Sequence, residues 1–346
     1  MRRFSVLAAV SVAAAMALLP GCSSGTAVPQ KPPTLSSHMR SLASFIATSR
    51  SPLGLHADNL NAGHQLKSFY TCPATISIEY FSDYKNNIIN VFAGKFEGQI
   101  PCGKITDVTN PQGLYVNAST HDLYVANTGG HNVLVFHRGE TVASNSYTDP
   151  TNQFPYDVTM ARDGTVIASN VFQTGGPEAG SISTWVGGPN GGAFVGNFPM
   201  TNDSVGLWIT VDKHGTVYYN DIDLTSGIGA LWSLTCPSGA CGNQTQVAGV
   251  SFSAPGGLAI DRTNDLLAND AQPGTADTFE LPNPKPKTFP IASGSLDLAI
   301  DMLNRHWFAL DSQNSNAAEY LYPSGVLVGT VSCGTNCIAS GIAVDP

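Results

Sequence analysis

One stretch of the sequence decides the fold. It reads Asn110-Pro-Gln-Gly-Leu-Tyr-Val-Asn117, a polar turn, Asp122-Leu-Tyr-Val-Ala-Asn127, a Gly-Gly turn and Asn132-Val-Leu-Val-Phe136. Its three short runs of Val, Leu, Tyr and Phe are each bounded by Gly, Asn or Asp. This pattern is typical of antiparallel strands joined by tight hairpins. The sequence therefore predicts three consecutive strands here.

The first of these runs recurs along the chain as a Gly or Asp, then apolar residues, then usually an Asp. The copies are Gly113–Asn117, Asp157–Ala161, Gly206–Asp212, Gly257–Asp261, Asp297–Asp301 and Gly341–Asp345. Their last residues are 44, 51, 49, 40 and 44 positions apart. An irregular period near 45 residues with β-type units predicts propeller blades of four strands each.

The second run recurs as well, and each copy ends on Asn or Asp. These copies are Leu123–Asn127, Val166–Asn170, Thr216–Asn220, Leu266–Asn269 and His306–Asp311. Third strands follow each of them. Fourth strands have the weakest pattern, for example Gln246–Ser251 and Gly325–Val331. The four tryptophans fall on predicted strands, where packing between blades is the favoured role.

The two ends of the repeat region complete one another. Thr75–Asp83 has the pattern of a second strand with no first strand before it, and Gly341–Val344 has the pattern of a first strand with no continuation. Pairing between them would close the ring and leave no open sheet edge between the two ends. We therefore predict an all-β, six-bladed β-propeller of four-stranded blades over residues 71–346, closed by the C-terminal strand pairing into the N-terminal blade.

Blades that read Pro-x-Gly-Leu-x-Val-Asn, then Leu-Tyr-Val-Ala-Asn-Thr-Gly, then Asn-x-Val-x-Val-Phe resemble NHL repeats and the wider six-bladed family that includes gluconolactonase-type proteins. Residues 110–136 carry the resemblance best, and it covers about residues 71–346. Propellers of this kind serve as lactonases, lyases, ligand-binding modules and protein-binding scaffolds. The resemblance therefore implies a fold and leaves several functions open.

A gluconolactonase-type enzyme is the catalytic alternative that this resemblance implies. Such enzymes hold a divalent metal at the channel mouth with a Glu, with Asn and Asp ligands, and with an Asp as general base. In this chain the only carboxylates at the starts of the first strands are Asp157 and Asp297, and no Glu stands there. These two residues are the catalytic candidates of a metal-dependent lactonase or ester hydrolase that would use Ca²⁺ or Zn²⁺.

The ends of the second strands form the most regular polar feature of the sequence. They are Asp83, Asn127, Asn170, Asn220, Asn269 and Asp311. Six oxygen-bearing side chains at equivalent positions have the number of ligands that Ca²⁺ requires. However, Asn and Asp at strand ends commonly bond the backbone of the following turn. We favour this structural role and expect no cofactor.

The N-terminus has the pattern of an export signal. Two arginines precede the apolar run Phe4–Leu19, which is shorter than a membrane-spanning helix. Leu19-Pro-Gly-Cys22 resembles a bacterial lipobox, whose cysteine is lipidated and becomes the mature N-terminus. We predict a signal peptide at 1–21, a Ser/Pro/Gly-rich lipidated tether at 22–36 and a partly ordered extension at 37–70. The alternative is an ordinary signal peptide that is cleaved elsewhere.

Removing Cys22 from the seven cysteines leaves an even number, which is typical of disulfides in an exported protein. The six are Cys72, Cys102, Cys236, Cys241, Cys333 and Cys337. The pairs 236/241 and 333/337 can each close a short loop, which leaves Cys72 for Cys102. A zinc site is the competing hypothesis, but neither spacing is the two-residue knuckle of structural zinc sites.

The charge balance limits the partners. The chain has a formal net charge of −9, and its 16 Lys and Arg residues form no cluster beyond Arg2-Arg3, which argues against nucleic acid. We expect a monomeric lipoprotein that is exported and anchored to the bacterial outer membrane or cell surface. Its propeller face would bind a protein or a small molecule, with the insertions Gln173–Gly180 and Leu224–Gly229 as candidate loops.

Overall fold

The structure is a computed structural model that describes residues 70–72, 77–94, 100–171, 180–187, 192–201, 204–223, 228–271, 275–279, 287–291, 295–301, 303–311, 316–332 and 337–346. The predicted signal peptide, the tether with Cys22 and nearly all of the extension lie outside these residues. Within the described ranges, no helix is both long and apolar enough to cross a membrane.

Within the described residues, the strands pair into six four-stranded antiparallel sheets, which follow one another along the chain. The first sheet contains β1 (Ile78–Asp83), β2 (Ile88–Ala93) and β3 (Gly103–Ile105). The second contains β4 (Pro111–Asn117), β5 (Asp122–Asn127), β6 (Asn132–Phe136) and β7 (Asn145–Thr148). The third contains β8 (Pro155–Met160), β9 (Val166–Asn170), β10 (Ser181–Val186) and β11 (Ala193–Pro199).

The remaining sheets repeat this order. The fourth contains β12 (Ser204–Val211), β13 (Thr216–Asp223), β14 (Gly229–Thr235) and β15 (Thr245–Phe252). The fifth contains β16 (Pro255–Ile260), β17 (Leu266–Asp270), β18 (Thr275–Phe279) and β19 (Lys287–Pro290). The sixth contains β20 (Ser295–Ile300), β21 (His306–Asp311), β22 (Asn316–Leu321) and β23 (Val326–Ser332). The last strand, β24 (Ala339–Asp345), belongs to the first sheet.

The ring closes through β24, which lies antiparallel to β1 with Ile342 opposite Phe81. Each first strand contacts the first strand of the next sheet, and β20 contacts β24, so the first strands surround a central channel. The predicted all-β propeller of four-stranded blades is confirmed, and so is its closure by the C-terminal strand. Closure pairs the free edges of both chain ends, which removes two sites of unwanted strand addition.

The core is divided among the interfaces between neighbouring blades. Between the first and sixth blades, for example, Phe81 and Phe92 pack with Phe308. All four tryptophans are buried, as predicted, and each contacts another aromatic ring; the centroids of Trp307 and Tyr320 are 4.5 Å apart. Apolar burial between adjacent blades is therefore the main force that holds the ring together.

The Asp that ends several first strands organises the hairpin that follows. Asp212 accepts hydrogen bonds from the backbone N–H groups of His214 and Thr216, both at 2.8 Å. In the equivalent turn of the third blade, Gly164 has φ of 84°, which is a conformation that glycine adopts without steric cost. The Asp therefore recurs because its carboxylate accepts the hydrogen bonds of backbone N–H groups in the hairpin turn.

The outermost strands were the hardest to predict, and β7, β11 and β19 carry no clear sequence signal. They are half-exposed, so their apolar alternation is weak; β11, for example, alternates exposed and partly buried residues. The pairing of β11, β15 and β23 with their neighbours is interrupted by bulges or irregularities. Such interruptions twist an edge strand and discourage pairing with other chains.

Two of the predicted disulfides are present. Cys72 is bonded to Cys102, which ties the segment before β1 to the start of β3, and Cys236 is bonded to Cys241. Cys337 is also disulfide-bonded, while Cys333 lies outside the described residues. The cysteines therefore act as cross-links rather than zinc ligands, which is typical of a protein in an oxidising compartment.

Candidate functional site in the central channel

Every first strand is irregular at the same level of the channel. Its pairing with the second strand shifts there, for example between Pro155 and Asp157 in the third blade and between Ser295 and Leu298 in the sixth. A bulge of this kind re-aims a side chain, and bulges often occur next to functional sites. At this level the first strands carry Gly113, Asp157, Trp208, Gly257, Asp297 and Gly341.

Two of these residues, Asp157 and Asp297, are carboxylates on strands that lie three blades apart in the ring, on opposite sides of the channel. Both are buried, and both line a channel cavity of about 170 Å³. The rest of the lining is mostly aliphatic, including Leu114, Leu258 and Ile342. The catalytic candidates of the sequence are therefore brought to one cavity, but inside the channel rather than at an open mouth.

Each carboxylate bridges two blades through backbone amides. Asp157 accepts hydrogen bonds from the N–H of Val158 on its own strand at 2.8 Å and of Ile209 on β12 at 2.9 Å. Asp297 repeats this geometry, because it accepts from Leu298 at 2.8 Å and from Ile342 on β24 at 2.9 Å. Both oxygens of each group are thus occupied by protein donors that fix the next blade.

The carboxylates also pack closely against the preceding blade. A Cβ atom added to Gly113 would lie 2.0 Å from Oδ1 of Asp157, and one added to Gly257 would lie 2.4 Å from Oδ1 of Asp297. Glycine is therefore required at these two positions for steric reasons. The channel contains two equivalent units, each made of a glycine, an aspartate and an amide of the blade beyond.

Burial dominates the electrostatics of the pair. Desolvation raises the pKa of Asp157 to about 7, against the opposing effect of its two N–H donors. Desolvation also raises the pKa of Asp297 well above its usual range, and the charge of Asp157 raises it further. Burial and both aspartates raise the pKa of the neighbouring Tyr156. Burial of two carboxyl groups that face each other across the channel therefore disfavours the state in which both are ionised.

The polar residues at the second-strand ends make internal hydrogen bonds of the structural kind. Asn220 accepts from the N–H of Trp208 at 3.1 Å and donates to the carbonyl of Gly256 in the next blade at 2.5 Å. Asn127 accepts from the N–H of Thr109 at 2.5 Å. These contacts tie the second strands to the entry of the channel strands.

The other members of this set behave similarly where the structure describes them. Asp83 accepts from the N–H groups of Asn86 at 3.2 Å and Ile338 at 3.1 Å. Asn170 donates to Ser181 and Ser183, while Asn269 is buried and the side chain of Asp311 is not described. In the described part of the chain, no three His, Cys, Asp or Glu side chains are grouped so that they could hold a metal ion.

A second cavity, of about 240 Å³, lies at the loop end of the fourth blade. It is lined by Asp221, Asp223, Ile228 and Trp232, and Ile228 is 56% exposed. Burial raises the pKa of Asp221, whose carboxylate accepts from the N–H of Ala230 at 3.2 Å. The sequence pattern points only to the insertion Leu224–Gly229, which contains Ile228. Residues 224–227, like residues 173–179 of the other candidate loop, lie outside the described residues.

The family model of the NHL repeat matches residues 109–136, which include β4, β5 and β6. The chain contains an NHL repeat. This repeat supplies Gly113 and Asn127 to the channel end of the second blade. No curated protein matches the chain in sequence.

Solved structures share the fold. A chain of the nidogen/laminin complex has a TM-score of 0.58 at 12% identity, over 78% of this chain and 98% of that chain. A protein of unknown function from Bacteroides caccae has a TM-score of 0.53 at 10% identity, over 78% and 99%. A streptogramin B lyase has a TM-score of 0.51 at 12% identity, over 78% and 84%. At these identities the likeness concerns the propeller fold alone.

Proposed function

We propose that this chain is an exported bacterial lipoprotein, anchored through Cys22, whose NHL-type propeller binds a partner at the loop end of the fourth blade. The observation that carries the proposal is the use of the channel carboxylates. Both oxygens of Asp157 and of Asp297 accept backbone amides and brace neighbouring blades. The carboxylates are therefore already engaged in holding the ring, which favours a scaffold over a catalyst.

The metal-dependent hydrolase is less well supported. It needs oxygen ligands that converge on one point and are free to coordinate a cation. In this channel the amide oxygens of Asn127 and Asn220 accept hydrogen bonds from backbone N–H groups, and the carboxylate oxygens of the two aspartates do the same. A metal would have to displace these contacts, among them the bonds from Ile209 to Asp157 and from Ile342 to Asp297, which hold neighbouring blades together.

The loop-end cavity has the chemistry of a binding site for a protein side chain. Trp232 and Ile228 supply apolar surface, and aromatic residues beside a pocket commonly dominate binding energy. Asp221 and Asp223 supply negative charge beside this surface. The matching partner presents an apolar group next to a Lys or Arg.

The test is a capture experiment from bacterial envelope extract with the mature chain immobilised. We expect Ile228→Asp to abolish capture, because it replaces the exposed apolar side chain that would pack against the partner's apolar group with a charged one. Val326→Asp is the matched control, since Val326 is 55% exposed on β23 in another blade. A partner that both variants retain equally would contradict the proposed site.

The same preparation tests the hydrolase. After dialysis, the mature chain is analysed for divalent metal and melted with and without EDTA. The scaffold proposal expects an unchanged melting temperature. A stoichiometric ion whose removal lowers the melting temperature would instead support the hydrolase, because a ligand bound only by the native state stabilises it.

A further inference from the structure

A cavity of about 290 Å³ lies between the first and sixth blades, away from both sites described above. Glu79 of β1 reaches it from the first blade, and Glu319 of β22 reaches it from the sixth. Each glutamate is only 2% exposed. The cavity adjoins the apolar cluster of this interface through Phe308, which belongs to both.

Glu79 is incompletely bonded. Its Oε1 accepts a hydrogen bond from the hydroxyl of Ser77 at 3.1 Å, while its Oε2 is buried and has no hydrogen-bond partner among the described residues. Burying a carboxylate oxygen without a partner is costly, and native structures rarely do so without a reason. Asp157 differs, because both of its oxygens accept hydrogen bonds from backbone amides. The contrast indicates that a group outside the described chain supplies the missing partner of Glu79.

The other acidic side chains that line the cavity each lie beside a basic side chain. Oε1 of Glu319 lies 2.8 Å from Nδ1 of His306. The guanidinium of Arg305 lies 3.7 Å from Asp301 and is largely exposed. Among the described acidic side chains that line the cavity, Glu79 is the one with no basic side chain beside it. Burial, with a contribution from Glu319, raises the pKa of Glu79 to about 8.

Three apolar side chains also line the cavity. Phe308, Leu303 and Val344 line the cavity, and its volume is just below the lower end of ligand pockets, about 300 Å³. The ring of Phe308 can also attract a cation. A metal ion suits this lining poorly, since the described residues contain no group of three or more metal-ligating side chains.

We propose that the cavity between the first and sixth blades binds a small organic ammonium compound, whose charged nitrogen pairs with Glu79 and whose hydrocarbon body packs on Phe308 and Leu303. This site is independent of the loop-end face of the fourth blade. Binding requires Glu79 to be ionised, so it releases a proton below pH about 8. Glu319, His306, Asp301 and Arg305 are the other ionisable groups that face the cavity.

The test is isothermal titration of the mature chain with pentylammonium chloride at pH 8.5. 1-Pentanol serves as the neutral ligand with the same hydrocarbon body. We expect saturable binding of pentylammonium and at least tenfold weaker binding of pentanol. Below pH 8 we expect the affinity to fall by about tenfold per pH unit, because the ligand must displace one proton.

Glu79→Gln keeps the shape of the side chain and removes its charge, so we expect at least tenfold weaker binding. Glu140→Gln is the matched control, because Glu140 is also buried but lies outside the cavity. If Glu79→Gln fails to fold, Leu303→Trp replaces it, since Leu303 is 52% exposed at the cavity and a larger side chain would obstruct the ligand. Equal affinity in the folded Glu79→Gln or Leu303→Trp variant, or no binding by the wild type, would overturn the proposal.

Discussion

The pH dependence of stability should report directly on the channel carboxylates, and Asp157→Asn is the sharpest way to observe it. The pKa of Asp157 is raised by burial from 3.8 to about 7. Between these values the unfolded chain has lost the proton that the folded chain still holds. Stability therefore falls as pH rises through this window. A difference of about three pKa units between the folded and unfolded chain lowers the free energy of unfolding by about 4 kcal/mol across this window.

The substitution removes this pH dependence and lowers the free energy of unfolding by an amount that does not vary with pH. Asparagine has one acceptor oxygen where aspartate has two, so the N–H of either Val158 or Ile209 loses its partner. An unsatisfied buried N–H costs about 1–3 kcal/mol. At pH 4 we expect the variant to be less stable than the wild type by about this amount. At pH 8 the order should reverse, because the wild type then buries a charge.

Urea denaturation of both proteins at pH 4, 6 and 8 measures this difference. Asp107→Asn is the control, since it makes the same chemical change at an exposed position outside the channel. Removal of the Asp157 charge also lowers the pKa of Asp297, which adds stability to the variant in the same direction at high pH. A stability difference between wild type and Asp157→Asn that stays constant from pH 4 to pH 8 would refute the reasoning.

Two further predictions concern the ends of the chain and the cross-links. Replacing Cys22 by Ala should move the protein from the membrane fraction to the soluble envelope fraction and abolish palmitate labelling; retention in the membrane would contradict the lipid anchor. Removing the Cys72–Cys102 bond, which spans 30 residues, should cost about 3–4 kcal/mol in urea unfolding, whereas removing Cys236–Cys241, which spans 5, should cost about 2 kcal/mol. Equal losses would show that loop closure is not the source of the stabilisation.

Much of the fold follows from local features that a sequence displays directly. The strands of residues 110–136 were predicted to within about two residues, because alternating apolar residues and turn-forming Gly, Asn and Asp act over a few positions. The closing strand was predicted from the mismatch between the two ends, and β24 lies where expected. The fourth strands were weakly predicted because their half-exposed surfaces require little apolar alternation.

The candidate sites were only partly predictable. The sequence displayed Asp157 and Asp297 as exceptions to the glycine that begins other first strands, and it displayed the six strand-end residues as a set. It did not display the bulge that turns the aspartates toward amides of the next blade. That contact joins Asp157 to Ile209, which is 52 residues away, and no local pattern records such a distance.

The sequence by itself determined the repeating antiparallel strands, the closure of the ring and the identity of the cysteines. Only the tertiary structure decided which polar groups are satisfied. Glu79 lies within Thr75–Asp83, which the sequence pattern identifies only as a second strand. Its burial opposite Glu319 arises because two blades 240 positions apart in the chain become neighbours when the ring closes. Hydrogen bonding and desolvation depend on that proximity, so they are fixed by the assembled propeller and not by any single blade.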